Sequence, residues 1–240
     1  MTNLMTKLLC ISILLSIHAI TLAADFDDCR QMFPNGKPPT GTDSGMKPRA
    51  LCYKSFAVLH SGVSKTPIYV AERINRASVS PEIERGTRFF ADARLPRSER
   101  AELEDYAHSG YDRGHQAPAG DMPDQESMTQ CFTLANMVPQ APIHNRKTWS
   151  GIERATRDYA KRAQGDIFVI TGPVFTRPAP TIGPGKVWVP AVLFKLVYDP
   201  QVNKSWAYWI ENKDDAKVGK PISYSELRQR TGIDFLPAEK

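Results

Sequence analysis

The distribution of apolar residues predicts β-strands as the main elements of the chain. A β-hairpin is indicated by two runs rich in β-branched and aromatic residues, LCYKSFAVLHS and TPIYVAERI, which are separated by the turn-forming segment GVSK. Further strands are indicated by the continuous apolar run IFVITGPVF, and by KVWVPAVLFKLVYD and KSWAYWIEN around the turn PQVN. Hairpin-like links between strands are typical of an antiparallel sheet.

One long segment has helical periodicity instead. The sequence HNRKTWSGIERATRDYAKRA starts at His144, and Gly165 ends the helix that it predicts. Its apolar residues recur at helical spacing: Trp149, Ile152, Ala155, Tyr159 and Ala163. Because strands outnumber helices and neither a repeat nor a linker divides the chain, we expect an α+β fold with a central antiparallel β-sheet and flanking helices.

Two other segments lack sustained periodicity. Residues 25–50 are rich in Pro, Gly, Ser and Thr, so we expect irregular structure laid over the domain. Residues 80–121 carry many charges and predict a long surface excursion, a kind of segment that often carries functional residues. The chain is accordingly interpreted as one domain over residues 24–240 with an irregular N-terminal part.

The first 23 residues are predicted to be a cleaved secretory signal. Lys7 is followed by the apolar run LLCISILLSIHAITLA, which is short for a membrane span and ends in small residues near Ala23 and Ala24. The alternative is an N-terminal membrane anchor formed by the same residues. Cleavage would give an exported protein without a membrane anchor, located in a periplasm or in the medium.

The net charge is modestly positive. It is +5 at pH 7, and removal of residues 1–23 lowers it to +4 because Lys7 leaves and no acidic residue does. A basic balance favours polyanions such as nucleic acid, although it does not distinguish them from an acidic membrane surface.

Cysteine usage is compatible with export. Cys10 leaves with the signal, so three cysteines remain. Cys29 and Cys52 could close a loop over the N-terminal segment in an oxidising compartment, and the alternative is that both stay reduced. Cys131 lies in the apolar run TQCFTLANMV and is predicted to be a buried free thiol. No spacing of Cys or His resembles a zinc motif.

Candidate chemistry is concentrated in the segment YDRGHQAPAGDM, residues 111–122. His115 has an ordinary pKa of about 6.5 and can accept a proton at neutral pH, as a general base must. Arg113 offers a planar fork of donors that matches phosphate oxygens, and Gly114 lets the backbone turn tightly or approach a substrate. The structural alternatives are a hydrogen-bonded core role for His115 and an ion pair with Asp112 for Arg113.

The predicted helix carries further polar residues at a spacing of four. Counting on from Asn145 gives Trp149, Glu153 and Arg157, which share one slowly rotating stripe of a helix. This stripe can form one wall of a site, with Trp149 in the core. The structural alternatives are a helix cap for Asn145 and an exposed ion pair between Glu153 and Arg157.

Taken in order, these motifs resemble the DNA/RNA non-specific endonuclease family, which is typified by a secreted bacterial nuclease. The family signature is matched by the segment DRGHQAP. The family pattern of an Asn, a Pro-Gln turn, a second Asn, a Trp, a Glu and an Arg is matched by LANMVPQAPIHNRKTWSGIERATR. Further family segments are similar to IFVITGPVF, VWVPAVLFKLVYD and TGIDFLP, so the resemblance covers about residues 50–237.

The resemblance implies an exported, magnesium-dependent endonuclease that cleaves DNA and RNA to 5′-phosphate ends and binds them through the phosphate backbone. It also implies a ββα-metal finger (His-Me finger) as the active-site motif, with Mg²⁺ replaceable by Mn²⁺. Phosphodiester hydrolysis needs a base for water, positive charge on the phosphate and stabilisation of the leaving oxygen. The rival functions are a secreted polyanion-binding protein without catalysis and a phosphodiesterase for small substrates. No oligomeric state follows from the sequence.

The resemblance assigns roles to individual residues. His115 matches the general base, Arg113 a phosphate clamp, and Asn145 the one direct protein ligand of the metal. On the helix, Glu153 matches a residue that holds a metal-bound water, and Arg157 one that contacts the phosphate or product.

Two further positions match family residues near the substrate. Asn136 matches an asparagine near the site, for which we predict a substrate-binding role limited to orientation. Arg88, in the segment ERGTRFF, is similar to an upstream arginine that contacts substrate, and Arg85 competes for the same role.

Overall fold

The structure is a computed structural model that describes residues 25–237. The predicted signal at residues 1–23 lies outside the described residues. The strands are β1 (Pro48–Cys52), β2 (Phe56–Ser61), β3 (Pro67–Ile74), β4 (Asp112–His115), β5 (Met137–Gln140), β6 (Ile167–Val174), β7 (Thr181–Ile182), β8 (Val187–Trp188), β9 (Val192–Asp199) and β10 (Lys204–Glu211). The helices are α1 (Leu103–Tyr106), α2 (Gln125–Cys131), α3 (Ser150–Arg162) and α4 (Tyr224–Thr231), and a π-helical turn over His144–Trp149 leads directly into α3. Within this part of the chain, no helix is both long and apolar enough to cross a membrane.

Six of these strands form one antiparallel sheet in the order β1-β2-β3-β6-β9-β10. The predicted hairpins are present as β2–β3 and β9–β10, and β6 lies between β3 and β9. Two small antiparallel pairs, β4–β5 and β7–β8, lie outside this sheet. The predicted α+β fold with a central antiparallel sheet is confirmed.

Two strand predictions are corrected by the structure. The run KVWVPAVLFKLVYD is not one strand, because Pro190 lies between β8 and β9 and a proline donates no hydrogen bond to a ladder. The first strand of the sheet begins at Pro48, inside the segment 25–50 for which irregular structure is predicted. Its sequence, PRALC, has too few β-branched residues to predict a strand by itself.

One face of the sheet packs against the N-terminal segment and α4. Leu59 of β2 lies in one apolar core with Phe33 and Phe235, and these rings are almost fully buried. A disulfide between Cys29 and Cys52 ties the N-terminal segment to β1, with the two Cα atoms 5.5 Å apart. The bridged alternative for these two cysteines is thus confirmed, and so is the buried free thiol at residue 131.

The opposite face of the sheet packs against α3. Val169 and Val197 lie in one apolar core with Ala160, and Ile152 lies in a second core with Leu193. The helix predicted from residue 144 onward is confirmed, and its apolar side holds it on the sheet.

Residues 80–121 are more than a surface excursion. Leu95, Ala101 and Tyr106 are buried, and β4 lies near the end of this segment. The buried positions are far apart among charged residues, so they give no period from which an element could be predicted.

The short helices α2 and α4 are missing from the sequence prediction. Each begins at a residue whose side chain accepts a backbone hydrogen bond: Asp124 from the N–H of Ser127 at 2.9 Å, and Ser223 from the N–H of Glu226 at 3.2 Å. These capping signals are visible in the sequence, but the helices are too short for a clear apolar period.

Together β4, β5 and the helix over residues 144–162 form a strand–strand–helix unit. The segment DRGH forms β4 itself, which pairs with β5 so that Gly114 lies opposite Val138 and His115 opposite Met137. β5 then leads through three residues into the π-helical turn. This unit brings the two motifs that carry the predicted chemistry together.

Candidate active site

A cavity of about 590 Å³ lies between β4 and the beginning of the helix in the strand–strand–helix unit. Five residues predicted from the sequence line it: Arg113, His115, Asn145, Glu153 and Arg157. The wall also includes Arg85, Phe89, Tyr106, Asp112, Arg146 and Ser150. The fold therefore brings together the two predicted groups of residues, from β4 and from the helix.

His115 lies in an aromatic pocket at the base of this cavity. Its ring contacts those of Phe132 and Phe89, with centroid distances of 4.9 and 5.8 Å, and the residue is 8% exposed. Its Nε2 atom is buried without a hydrogen bond to another described residue. Burial, with a smaller contribution from the positive charge of Arg85, lowers the pKa of His115 to about 3. The imidazole is thus neutral at neutral pH, which is the form that can accept a proton.

Arg113 is held between two aromatic rings. Its guanidinium carbon lies 4.8 Å from the centroid of Phe89 and 5.8 Å from that of Tyr106, within the range of cation–π attraction. Its buried Nε makes no hydrogen bond to another described residue. Asp112 pairs with Arg146 instead, so the predicted alternative of an Asp112–Arg113 ion pair is not formed.

Gly114 is required by the chain's own packing. A Cβ atom at this position would lie 1.9 Å from Oε1 and 2.6 Å from Cβ of Gln140. The sequence suggested a tight turn or a substrate approach, whereas the structure shows a side chain of β5 lying against the bare backbone of β4.

Asp112 links β4 to the start of the helix. Its carboxylate accepts hydrogen bonds from Arg146 at 2.6 and 2.8 Å, and from Nδ2 of Asn145 at 3.0 Å. The amide nitrogen of Asn145 is therefore occupied, and its Oδ1 atom is the one that could bind a cation. Asp112 thereby acts on the site through Asn145.

The π-helical turn changes which side chains face the cavity. A π-helix bonds residue i to residue i+5, so its turn holds more residues than an α-helical turn. Trp149 is fully buried in the core, whereas Ser150 lines the cavity beside Asn145 and Glu153. The N–H of Asn145 bonds to the carbonyl of Ala141 at 2.8 Å, which places this residue inside the helix. Asn145 is therefore not the residue that caps the helix.

Glu153 and Arg157 line the cavity but do not pair with each other. Removal from bulk water raises the pKa of Glu153 to about 7, although the positive charge of Lys195 opposes the rise. Arg157 donates instead to Asp121, with Nη1 2.8 Å from Oδ1, and both side chains lie mostly out of solvent. A Cβ at Gly120 would lie 2.9 Å from this guanidinium, so the loop after β4 packs directly on Arg157.

The sequence analysis did not predict three buried polar residues of the sheet near this wall: Glu72, Thr171 and Lys195. Lys195 is 1% exposed, and its Nζ donates to Oγ1 of Thr171 at 2.7 Å. Glu72 is also 1% exposed, and burial, reinforced by the charge of Asp121, raises its pKa well above the ordinary value. A signal existed for Lys195, which is the single charge inside the apolar strand run LFKLV, whereas Glu72 lies beside Arg73 in VAERI and stands out less.

Of the two upstream arginines, Arg85 rather than Arg88 lines the cavity. Its guanidinium carbon lies 5.6 Å from the centroid of Phe132. Arg88 lies in a neighbouring groove with Phe90 and Leu103. Because Phe89 lines both the cavity and the groove, the two arginines lie on a continuous surface.

Asn136 lies in the core and contacts backbone. Its Oδ1 accepts from the N–H of Ala117, and its Nδ2 donates to the carbonyls of Ala117 and Cys131, all at 2.9 Å. Its own carbonyl accepts from the N–H of Gln116 at 3.0 Å. These bonds fix the loop that follows His115, which fits an orienting role.

The donor set suits a divalent cation that binds few protein groups. Among residues 25–237, no group of three or more His, Cys, Asp or Glu is arranged as a set of metal ligands. Structural zinc needs four ligands, mostly nitrogen or sulfur. Mg²⁺ prefers oxygen and keeps several of its waters, so the amide oxygen of Asn145 and the carboxyl oxygens of Glu153, which line the same cavity, suit it.

A buried neutral histidine, arginines and an amide oxygen around one polar cavity are features of the nuclease class. Within that class, the chain belongs to the DNA/RNA non-specific endonuclease family, whose model matches residues 38–240. The family predicted from the DRGH segment and its downstream motifs is therefore confirmed.

Individual relatives agree with this assignment. The chain is 32% identical to human "Nuclease EXOG, mitochondrial" over 84% of its length and 59% of the relative's, and 33% identical to the Xenopus laevis protein of the same name over 68% and 47%. It thus spans about half the length of these curated relatives. It is 27% identical to "Nuclease" of Nostoc sp., over 84% of this chain and 78% of the relative.

A solved structure shows the same fold. The protein in "Crystal structure of the EndoG/EndoGI complex: Mechanism of EndoG inhibition" aligns with a TM-score of 0.74 at 23% identity. The alignment covers 86% of this chain and 90% of that one. At this identity the likeness concerns the fold alone.

Proposed function

We propose that the protein is an exported, magnesium-dependent endonuclease that hydrolyses phosphodiester bonds in DNA and RNA and leaves 5′-phosphate ends. The observation that carries the proposal is the placement of His115 and Asn145 on one cavity, in a chain of this family. The domain responsible is proposed to span residues 24–240.

His115 is the proposed general base. Its ring lines the cavity and is neutral at neutral pH, which is the form that can take a proton from water. The water would attack phosphorus in line with the departing 3′-oxygen.

Asn145 is the proposed ligand of Mg²⁺, through Oδ1, and Mn²⁺ is proposed to replace it. When bound, the cation would supply positive charge to the phosphate and to the leaving oxygen. Asp112 orients the Asn145 amide, and Glu153 is proposed to hold a water molecule beside the ion.

Arginines supply the remaining positive charge. Arg113 and Arg157 are each fixed by neighbours, which lowers the entropy lost when they bind a phosphate. Arg85 and Arg88 would extend this positively charged surface along the nucleic-acid strand. Asn136 orients the loop after His115. Contacts to phosphates carry no sequence or sugar information, so low specificity follows.

Export is proposed from the first 23 residues and is supported by the Cys29–Cys52 disulfide, since such bonds persist in oxidising compartments. Two of the relatives above are named mitochondrial, so the destination needs its own test. N-terminal sequencing of protein made in a secreting host should find Ala24 or Asp25 first. Intact Met1 on membrane-held protein would contradict export.

One assay separates the proposed function from its rivals. Supercoiled plasmid, RNA and bis(p-nitrophenyl) phosphate are each incubated with the protein and Mg²⁺, and again with excess EDTA. The proposal expects cleavage of both polymers that EDTA abolishes. Binding without cleavage would indicate the inactive polyanion-binding rival, and hydrolysis of the small ester alone would indicate the phosphodiesterase.

A further inference from the structure

The loop after β10 holds the beginning of the helix that carries Asn145. Oδ1 of Asp214 accepts from the N–H of Ile143 at 2.7 Å and from that of His144 at 3.4 Å. Asp214 is distant in sequence from these residues, so the cap comes from another part of the fold.

The residues just before the helix provide no side-chain cap, and Asp214 provides one instead. The first N–H groups of a helix have no partner inside it, and a side chain before the helix normally accepts them. Here the side chain of Ala141 has no acceptor atom, and Pro142 has no N–H to donate. Because Asn145 already donates to the carbonyl of Ala141, the amides of Ile143 and His144 remain, and both bond to Asp214.

Asn212 fixes the same loop to the strand that precedes the helix. Its Oδ1 accepts from the N–H of Ala141 at 2.9 Å, and its Nδ2 donates to the carbonyls of Pro139 and Pro190, each at 3.0 Å. Asn212 is 9% exposed. One amide thus joins β5, the segment before β9 and the loop.

We propose that Asp214, supported by Asn212, is a positioning residue for the nuclease reaction, because it fixes the side-chain Oδ1 atom of Asn145 relative to His115. The inference rests on the proposed role of Asn145 as the magnesium ligand. A neutral ligand that makes one bond to the ion contributes little unless it is already in place. The π-helical turn, whose hydrogen bonds are less regular than those of an α-helix, makes an external cap more important here.

The test compares three variants of the full chain. Asp214→Ala removes the cap, Asp214→Asn keeps an oxygen acceptor, and Asp215→Ala is the matched control. Asp215 is an exposed neighbour with the same charge, and it makes no hydrogen bond or ion pair to another described residue. Two quantities are measured: hydrogen exchange of the amides at residues 143–147 without metal, and the Mg²⁺ concentration that gives half-maximal nicking.

Asp214→Ala should exchange these amides faster and need more Mg²⁺, each by about fivefold, the factor that corresponds to loss of an ordinary helix cap. The maximal rate at saturating Mg²⁺ should recover toward that of the parent. Asp214→Asn should stay within about twofold of the parent, since Asn caps as well as Asp does. Asp215→Ala should change neither quantity.

Equal behaviour of Asp214→Ala and Asp215→Ala in both measurements would overturn the inference. Faster exchange with an unchanged Mg²⁺ requirement would overturn it too, since the cap would then not act on the metal site. Failure of the proposed function gives a different result: the parent itself would cleave in EDTA, or Asn145→Ala would keep the parent's Mg²⁺ dependence.

Discussion

At residue 114 the two strands of the strand–strand–helix unit leave no room for one additional carbon atom. A Cβ there would lie 1.9 Å from Oε1 of Gln140. Gly114→Ala should therefore lower the free energy of unfolding by about 1–3 kcal/mol, the usual cost of overpacking. It should also slow nicking, because His115 is the next residue. Urea denaturation and plasmid nicking measure the two effects.

Gly151→Ala is the matched control, since a Cβ on this helical residue meets no atom within 4 Å. It should raise stability by about 0.5–1 kcal/mol, because Ala is the better helix former. If Gly114→Ala alone were as stable as the parent, the steric account would be wrong.

The second residue-scale prediction concerns His115. His115→Ala should lower the nicking rate by about 10²–10⁴, the usual contribution of a general base, while nucleic-acid affinity is kept. Single-turnover cleavage and filter binding measure the two properties. The exposed His108, changed to Asn, serves as the control and should cleave like the parent. Near-parental cleavage by folded His115→Ala protein would remove the base assignment.

At the scale of elements, the strands and helices that could be predicted are those whose apolar pattern lies within one continuous segment of sequence. The strands β2, β3, β6 and β10 are continuous runs, and the helix after residue 144 has its own period. The partners of Asp112 and Asp214 could not be predicted, because they depend on how β4 and the loop after β10 each meet the helix. The π-helical turn was also missed, since the segment has ordinary helical composition. The residues of the candidate site were predicted from their motifs rather than from periodicity.

The disulfide gives the prediction for elements. Cys29 and Cys52 close a loop with a sequence separation of 23, which joins the N-terminal segment to β1. Replacing both with Ala should lower the free energy of unfolding by about 2–4 kcal/mol, because the unfolded chain gains freedom. Urea denaturation of the variant, and of the parent with and without a reductant, measures this. Equal stability of the oxidised parent and the double variant would contradict it.

At the scale of the whole molecule, stability should depend on pH through buried histidines. Burial lowers the pKa of His60 to about 4, from an ordinary value of 6.5. Below about pH 6.5 this histidine binds a proton in the unfolded chain but not in the folded protein. It therefore lowers the free energy of unfolding as the pH falls. Burial raises the pKa of Glu72, a carboxyl group, and this works in the opposite direction, so a single variant is more informative than the parent's curve.

His60→Gln removes that proton uptake. We expect the free energy of unfolding of His60→Gln to be lower than that of the parent at pH 7. At pH 5.5 this difference between the two proteins should be about 1 kcal/mol smaller. Urea denaturation of both proteins at the two pH values gives this difference. A difference that stays constant or grows as the pH falls would contradict the assigned direction of the shift.

The π-helical turn limits how the chain can change in length. It accommodates one residue more than an α-helical turn, so its segment behaves as if it carried a single insertion between Asn145 and Glu153. Deleting one residue there would restore a regular α-helix and rotate Asn145 by about 100° relative to Glu153, since 3.6 residues make one turn. The exposed side chain of Lys147 can therefore be substituted, whereas deletion of this residue would displace Asn145 relative to Glu153.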